Sequence, residues 1–447
     1  MSARQAALAI WAKALAAGDV APLVRAHLRV EGSRLTAGPL AVDLDRTRRV
    51  SVLGCGKASG AMAVALESLL GDRITEGVVV VKDGYLAPTR RIRLLEAGHP
   101  VPDARGQAAA LSLLERAQRA GPDDLIICLI SGGGSALTPA PAPPITLEEK
   151  QVVTRLLLAA GATIGELNAV RKHLSLVKGG QLARAAAPAR LLVLALSDVI
   201  GDPLDVIASG MTAPDPTTFA DAARVTTQRG VADRVPSSVR ARLEAGERGE
   251  IEETPKPGDP IFTRVTNLVI GNNTLIVEAA AVAATALGYR PHVLTRDLQG
   301  EARDAGRDLV MRGRQLAPPA ALIAGGETTV TVVGDGRGGR CQELALAAAL
   351  TIRANDGVTV LAAGTDGTDG PTDAAGAIVD SGTVARARAA GLDAERALAR
   401  NDSYPLLAAS GDLLHSGPTN TNLLDLYVVL HGGPAPDSAA HRIGEVC

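Results

Sequence analysis

Short aliphatic and β-branched runs alternate along the chain with longer segments that have the apolar spacing of helices. The runs predict strands over Val50–Leu53, Gly77–Val81, Leu125–Ile130, Leu191–Leu196, Asn267–Ile270, His292–Leu294, Ala321–Ile323, Thr328–Val333, Val358–Ala363 and Leu426–Val429. The intervening segments predict helices over Ala58–Leu70, Arg105–Ala120, Leu147–Ala160, Thr274–Leu287, Glu301–Leu316 and Glu343–Arg353. This alternation is typical of an α/β fold built around a largely parallel sheet.

The periodic pattern breaks at residues 245–260, AGERGEIEETPKPGDP, where acidic residues, Gly and Pro replace it. We therefore predict two domains, residues 1–244 and 261–447, joined by a linker at 245–260. A long surface loop within one domain is the alternative for this segment.

Composition and charge narrow the function classes. Lys plus Arg number 46 and Asp plus Glu number 48, so the net charge of -2 provides no basic field for a phosphate backbone. Aromatic residues make up 2% of the chain, which leaves few platforms for stacked bases. A nucleic acid partner is therefore not expected.

The cysteines and the apolar segments indicate a cytoplasmic protein. Cys55, Cys128, Cys341 and Cys447 form no CxxC pair, which argues against a zinc site or a disulfide framework. Residues 6–16 are interrupted by Lys13 and resemble an amphipathic helix more than a signal peptide. No segment has the roughly 18 uninterrupted apolar residues of a spanning helix, so no membrane partner is expected.

Two glycine-rich segments follow predicted strands. In GCGKASG, Gly54 and Gly56 could turn backbone N–H groups toward an anion, and Lys57 would add a mobile positive charge. The spacing matches neither the Walker A loop nor the Rossmann fingerprint. A tight strand-to-helix turn with a solvated lysine is the alternative.

The second segment, SGGGS, follows the very apolar run LIICLI. Its residues stand where open α/β sheets bind ligands, and their glycines favour close approach of backbone to a phosphate: Ser131, Gly132, Gly133, Gly134 and Ser135. A flexible connector is the alternative.

Several charged residues are candidates for substrate and metal binding. Arg171 and Lys172, in NAVRKH, could hold a carboxylate or phosphate, unless they belong to a solvated helix face. Asp198 follows the run LLVLAL and could reach Mg²⁺ held on phosphates, whereas Asp202 and Asp205 suit turns.

The second half of the chain carries three further candidates. Glu327, in GGETT, is assigned to substrate binding, and Arg340, in GRGGRCQE, to a charge clamp on a transferring phosphoryl group. A hairpin turn with surface arginines is the alternative for the latter. Asp366, in GTDGTDGPTD, is a second metal candidate, and this segment lacks the EF-hand spacing for calcium.

Taken together, these motifs resemble those of the glycerate 2-kinase family, whose C-terminal half is called the MOFRL domain. The resemblance is carried in order by GCGKASG, SGGGSAL, NAVRKHLSLVKGG, SDVIGDPLDVIASG, GGETTVTV, GRGGRCQELAL, GTDGTDGPTDAAGA and SGPTNTNLLDL.

The resemblance implies an N-terminal Rossmann-like domain, a C-terminal α/β domain and an active site in the cleft between them. It also implies Mg²⁺-dependent transfer of a phosphoryl group from ATP to D-glycerate, giving 2-phosphoglycerate. Lys57 and Arg340 match the positions proposed to act on that group. A homodimer is one expectation for the oligomeric state, which the sequence leaves open.

Two other functions stay open. One is an NAD(P)H-dependent hydroxypyruvate reductase, which would need an acidic residue about 20 positions beyond the glycine turn; Asp83 stands 27 residues beyond Gly56. The other is a non-catalytic protein that binds nucleotide or hydroxy acid. The chain also departs from the family pattern at Met211, Cys341 and Asn420, where proline, asparagine and glycine are usual.

Overall fold

A computed structural model describes residues 1–433 of the chain. The chain forms two compact units: the first unit is Val20–Ile270, and the second unit is Met1–Asp19 together with the chain from Gly271 onward. Cys55, Cys128 and Cys341 are buried, whereas Cys447 lies outside the described residues.

The first unit is built on a six-stranded sheet with the order β6-β5-β4-β7-β8-β9. Its strands are β4 Val50–Cys55, β5 Glu76–Lys82, β6 Ile92–Ala97, β7 Leu125–Ile130, β8 Arg190–Leu196 and β9 Val265–Gly271. Parallel pairing joins β6 to β5, β5 to β4, β4 to β7 and β7 to β8. Every residue of β4 and β7 is buried, as expected for central strands of a parallel sheet.

Helices of the first unit follow most of these strands, and a small antiparallel sheet precedes them. The helices are α2 Val20–His27, α3 Ser59–Leu70, α4 Ala104–Gln118, α5 Gly134–Leu137, α6 Leu147–Ala159, α7 Ile164–His173, α8 Gln181–Ala186, α9 Phe219–Gln228 and α10 Ser237–Glu247. The small sheet contains β1 Arg29–Glu31, β2 Arg34–Ala37 and β3 Leu40–Asp43.

The second unit contains a mixed sheet with the order β10-β11-β15-β12-β13-β14. Its strands are β10 Arg290–Leu298, β11 Ala320–Gly326, β12 Val358–Gly364, β13 Gly376–Asp380, β14 Leu413–Leu414 and β15 Asp425–His431. Its helices are α1 Ala3–Ala17, α11 Asn273–Ala286, α12 Ala302–Gly313, α13 Arg340–Thr351, α14 Thr383–Ala389, α15 Ala394–Ala399 and α16 Ser403–Ala409. Among the described strands of this sheet, only the β10–β11 pair is parallel.

The predicted α/β class is confirmed, with a parallel sheet in the first unit and a mixed sheet in the second. The strand predicted at Thr328–Val333 is wrong, because this segment makes one isolated bridge, Glu301 with Thr329. The preceding strand β11 already pairs with β10 on one side and β15 on the other, so this segment cannot form a hairpin ladder with β11.

The compact units differ from the predicted division at residues 244 and 261. Strand β9 belongs to the sheet of the first unit, and α1 packs on α11 in the second. Residues 245–260 also pack within the first unit: the Glu253 carboxylate accepts the Phe219 N–H at 2.9 Å, and the Thr254 hydroxyl donates to Asp215 at 2.9 Å. Beyond the end of α10 at Glu247, the segment is therefore a loop packed on the first unit.

Within residues 1–433, no single helix is long and apolar enough to cross a membrane; the bent pair α1 and α2 meets that test only when the two are joined, by length and composition.

Candidate active site

The two glycine-rich loops of the first unit lie against each other at the carboxyl ends of β4 and β7. The Lys57 N–H donates to the Gly132 carbonyl at 2.9 Å. The Ser131 hydroxyl accepts the Ala58 N–H at 3.0 Å and lies 3.1 Å from the Ser59 hydroxyl. The structure thus brings together the two segments in which the sequence predicted a phosphate-binding loop. We call residues 54–60 and 131–135 the crossed glycine loops.

The glycines of these loops allow close packing of backbone on backbone. A Cβ atom at Gly56, where φ is 140°, would lie 2.1 Å from the Ser131 hydroxyl, and one at Gly54 would lie 2.4 Å from the Leu129 carbonyl. Both glycines are buried. Gly54 and Gly56 therefore hold the loops together, and the partly exposed residues Gly133 and Ser135 are the ones that face a pocket.

A strained turn positions Ser135. Ala208 and Ser209 adopt φ values of 49° and 61°, a left-handed conformation that costs energy for residues other than glycine. The turn places the Ser209 hydroxyl 2.8 Å from that of Ser135 and 3.2 Å from the Asn168 side-chain oxygen. Lys178 donates to both the carbonyl and the hydroxyl of Ser135 at 2.8 Å. Two other segments of the first unit, the strained turn and the loop before α8, thus contact Ser135 directly.

A pocket of about 290 Å³ adjoins this serine, and three cationic side chains line it. They are Lys150 from α6, Arg171 from α7 and Lys178 from the loop before α8. Burial, and secondarily the charge of Arg171, lower the pKa of Lys150 to about 7. Burial first, and then the charges of Lys150 and Arg171, lower the pKa of Lys178 well below its usual value. The pocket is suited to an anionic group.

Lys172, predicted beside Arg171 as a substrate ligand, does not line this pocket. Its ammonium group is buried and lies 3.2 Å from each of Asp205 and Asp215. The next residue of the motif, His173, is likewise engaged, with a Glu253 carboxylate oxygen 3.1 Å from its Nε2. These contacts give Lys172 a structural role and leave Arg171 as the ligand candidate of this helix.

In the second unit, Arg340 begins α13 and is held by two carboxylates. Its Nε and Nη2 atoms donate to the fully buried Asp425 at 2.6 and 2.9 Å, and its Nη1 lies 2.8 Å from Glu327. Tyr427 donates to the same Asp425 carboxylate at 2.9 Å. Burial alone would lower the pKa of Arg340, but the Asp425 charge and hydrogen bonds outweigh burial and raise it. The predicted residues Arg340 and Glu327 are therefore direct neighbours.

Asp369 fixes the start of the same helix. Its carboxylate accepts the backbone N–H groups of Cys341 at 3.1 Å and Gln342 at 2.8 Å. Burial raises the pKa of Asp369 to about 7, although the Gln342 N–H opposes the shift and Asp425 adds to it. This carboxylate caps a helix that begins with glycine-rich chain and no capping side chain of its own.

The two metal candidates lie in different units. Asp198 follows β8 after one residue, and Asp366 follows β12 after one residue. Asp366 accepts the Thr368 N–H at 3.1 Å. Among residues 1–433, no three His, Cys, Asp or Glu side chains gather into a metal-binding group. Mg²⁺ on a phosphate needs only one or two carboxylates, so this finding leaves both candidates in place.

The three departures from the family pattern are accommodated locally. Met211 is buried, with its sulfur 3.6 Å from that of Cys55. Cys341 is buried in the core of the second unit, and its backbone N–H contacts Asp369. Asn420 has a φ of 58°, a left-handed conformation that asparagine tolerates better than most residues.

Sequence reasoning missed Lys150, Lys178 and Asp425. Lys178 stands within the motif NAVRKHLSLVKGG, just before two glycines with positive φ, and that position was a usable signal. Lys150 follows two glutamates on an ordinary helix, and Asp425 follows a leucine pair; neither pattern differs from that of a surface charge.

These features define an α/β protein whose first unit carries crossed glycine loops beside a cation-lined pocket. Residues 6–244 match a domain of unknown function (DUF4147), and residues 320–425 match the MOFRL family. The chain belongs to the glycerate kinase family that combines these two domains.

Relatives and solved structures support this assignment. Glycerate 2-kinase from Pyrococcus horikoshii is 42% identical over 96% of this chain and 98% of its own. A putative hydroxypyruvate reductase from Agrobacterium vitis is 44% identical over 86% of this chain and 87% of its own. The crystal structure of glycerate kinase from Thermotoga maritima matches with a TM-score of 0.82 and 40% identity, covering 96% of this chain and 99% of that one.

Proposed function

We propose that this protein is a glycerate 2-kinase, which transfers the terminal phosphoryl group of ATP to the 2-hydroxyl of D-glycerate. The observation that carries the proposal is the convergence of Lys57, the SGGGS loop and a cation-lined pocket in the first unit of a chain from the glycerate kinase family. Phosphoryl transfer asks a protein mainly for positioned donors and cations around anionic reactants.

The chain's own residues supply those parts. The crossed glycine loops hold the Lys57 backbone in place, so that its ammonium group can offset charge on the transferring phosphoryl group. Gly133 and Ser135 line the pocket without a bulky side chain to block it. Asp425 orients Arg340 through hydrogen bonds to Nε and Nη2, and the Arg340 Nη1 atom lies 2.8 Å from Glu327.

Mg²⁺ is the metal that this reaction would use. The carboxylates of Asp198 and Asp366 are hard oxygen ligands, and each follows the end of a strand, so both fit an ion that takes most of its ligands from phosphate and water. When bound, Mg²⁺ would offset phosphate charge.

The reductase alternative lacks a suitable acidic residue at the expected place. A dinucleotide site needs a carboxylate free to bind the ribose at the end of the next strand. Asp83 follows β5, but both of its oxygens accept from Arg105, at 2.7 and 2.8 Å. This ion pair favours the kinase over the reductase.

A direct assay tests the proposal. We expect purified protein to form ADP only when D-glycerate, ATP and a divalent metal are all present, with NMR showing phosphate on the 2-oxygen. Oxidation of NADH with hydroxypyruvate, in the absence of ATP turnover, would show a reductase instead. Nucleotide binding without either reaction would show a non-catalytic binding protein.

The metal assignment predicts a difference between two neighbouring aspartates. Asp198→Asn should raise the Mg²⁺ concentration needed for half-maximal rate about 10-fold or more, because one charge-assisted ligand is worth more than about 1.4 kcal/mol. Asp202→Asn is the matched control, since Asp202 has a φ of 54° in the following turn and asparagine tolerates that conformation. Titrations of rate against Mg²⁺ that shift equally for the two variants would contradict the assignment.

A further inference from the structure

The pocket beside Ser135 gathers positive charge that its lining does not offset. Lys150, Arg171 and Lys178 all line it, and among its lining residues within 1–433 there is no Asp or Glu. Asp205 and Asp215 contact the neighbouring Lys172 instead. Bringing three cationic side chains to one cavity is unfavourable unless an anion joins them or the amines lose their protons.

The Lys150 amine has unused hydrogen-bonding capacity. Lys150 is 6% exposed, and its Nζ atom is buried without a hydrogen-bond partner in residues 1–433. Lys178 already donates two hydrogen bonds to Ser135, so only its protonated form has a further donor for a ligand. Buried polar groups are almost always paired, so the unpartnered Lys150 amine indicates a ligand.

The groups that line the pocket around Lys150, within the described part of the chain, do not include an anion. They are Arg171 on α7, Lys178 before α8, the His99 ring after β6, and Gln151 on the same helix. The Lys150 amine is largely neutral near pH 8 in this setting, because burial lowers its pKa to about 7. Neutral lysines that merely fill space are the alternative explanation, and they would have no affinity for anions.

We propose that Lys150, Arg171 and Lys178 form a subsite that binds the carboxylate of the hydroxy acid acceptor. This inference rests on the proposed kinase function. It adds to that function the group of the acceptor that is recognised, the carboxylate, and the three residues that bind it. The pocket volume of about 290 Å³ lies at the small end for ligand sites, which suits a three-carbon acid better than a whole nucleotide. The planar guanidinium of Arg171 can bind both carboxylate oxygens.

Calorimetry of binding tests the subsite without turnover. D-glycerate, with and without a non-hydrolysable ATP analogue, should bind the wild type at pH 8 with proton uptake. The uptake should appear as a difference in the observed binding enthalpy between two buffers that have different ionisation enthalpies. The bound carboxylate raises the lysine pKa, so protons are taken up and affinity falls as pH rises above about 7. Glycerol, which lacks the carboxylate, should not bind.

Lys150→Met keeps the apolar stem and removes the amine. We expect it to weaken D-glycerate binding about 10- to 100-fold and to reduce proton uptake, because a charge-assisted contact is lost. Arg155→Met is the matched control, since Arg155 is exposed on the same helix. It should bind like the wild type. Unchanged binding by Lys150→Met, or no binding of D-glycerate by the wild type under either condition, overturns the subsite.

Kinetics and a phosphate probe separate the possible ligands. Lys150→Met should raise the KM for D-glycerate by a similar factor and change the KM for ATP less than about 2-fold. If the KM for ATP or the affinity for inorganic phosphate changes instead, the pocket serves a phosphate group and the carboxylate assignment is wrong. If binding depends on Lys150 but the wild type forms no ADP, the subsite stands and the kinase proposal fails.

Discussion

Arg340→Ala is expected to lower kcat by about 10²- to 10³-fold, the usual cost of losing one positioned charge contact in an active site. The KM for ATP should rise less, because the contact is proposed to strengthen during transfer. Arg340→Lys should not restore the rate, since a lysine cannot reproduce the paired Nε and Nη2 contacts with Asp425. Steady-state kinetics of both variants, with Arg337→Ala as an exposed control from the same loop, measure this effect.

The same substitution should also destabilise the second unit. Asp425 is fully buried, so removal of Arg340 leaves its charge without a cationic partner, at a cost of about 3–5 kcal/mol. Adding Asp425→Asn to Arg340→Ala removes that charge and should recover much of the thermal stability. Turnover should stay low in the double variant. A recovery of turnover together with stability would show that Arg340 only compensates Asp425.

Lys57→Met is expected to lower kcat about 10²- to 10³-fold, with a smaller rise in the KM for ATP. We expect this effect because the hydrogen bond from the Lys57 N–H to the Gly132 carbonyl holds Lys57 where the crossed glycine loops meet. Methionine keeps much of the length of the side chain and removes its charge, so circular dichroism and thermal unfolding should match the wild type.

The control for this variant is Lys82→Met. Lys82 ends the neighbouring strand β5 and lies 5.5 Å from the Tyr85 ring centroid, outside the crossed glycine loops. It should retain wild-type kinetics. A near-normal kcat in Lys57→Met would show that Lys57 is only a surface charge on a tight turn, which is the alternative that the sequence left open.

Much of the architecture could be predicted from residue patterns. The run LIICLI became the fully buried strand β7, because a central parallel strand has two covered faces and needs no polar alternation. The helices predicted near Ala58–Leu70 and Leu147–Ala160 were found within one or two residues of those bounds. The run Thr328–Val333 has high β-propensity, yet Val332 is 72% exposed, because propensity cannot supply a partner strand.

The alternation of strands with helices, the two glycine loops and the family resemblance could all be predicted from the chain, because each depends on residues close together in sequence. The tertiary structure alone decided which distant charges meet. It paired Lys172 with Asp215 and Arg340 with Asp425, and it left the Lys150 amine without a partner in the described chain. Local pattern carries no information on such pairings, because they are set by how the sheet brings remote segments to one place.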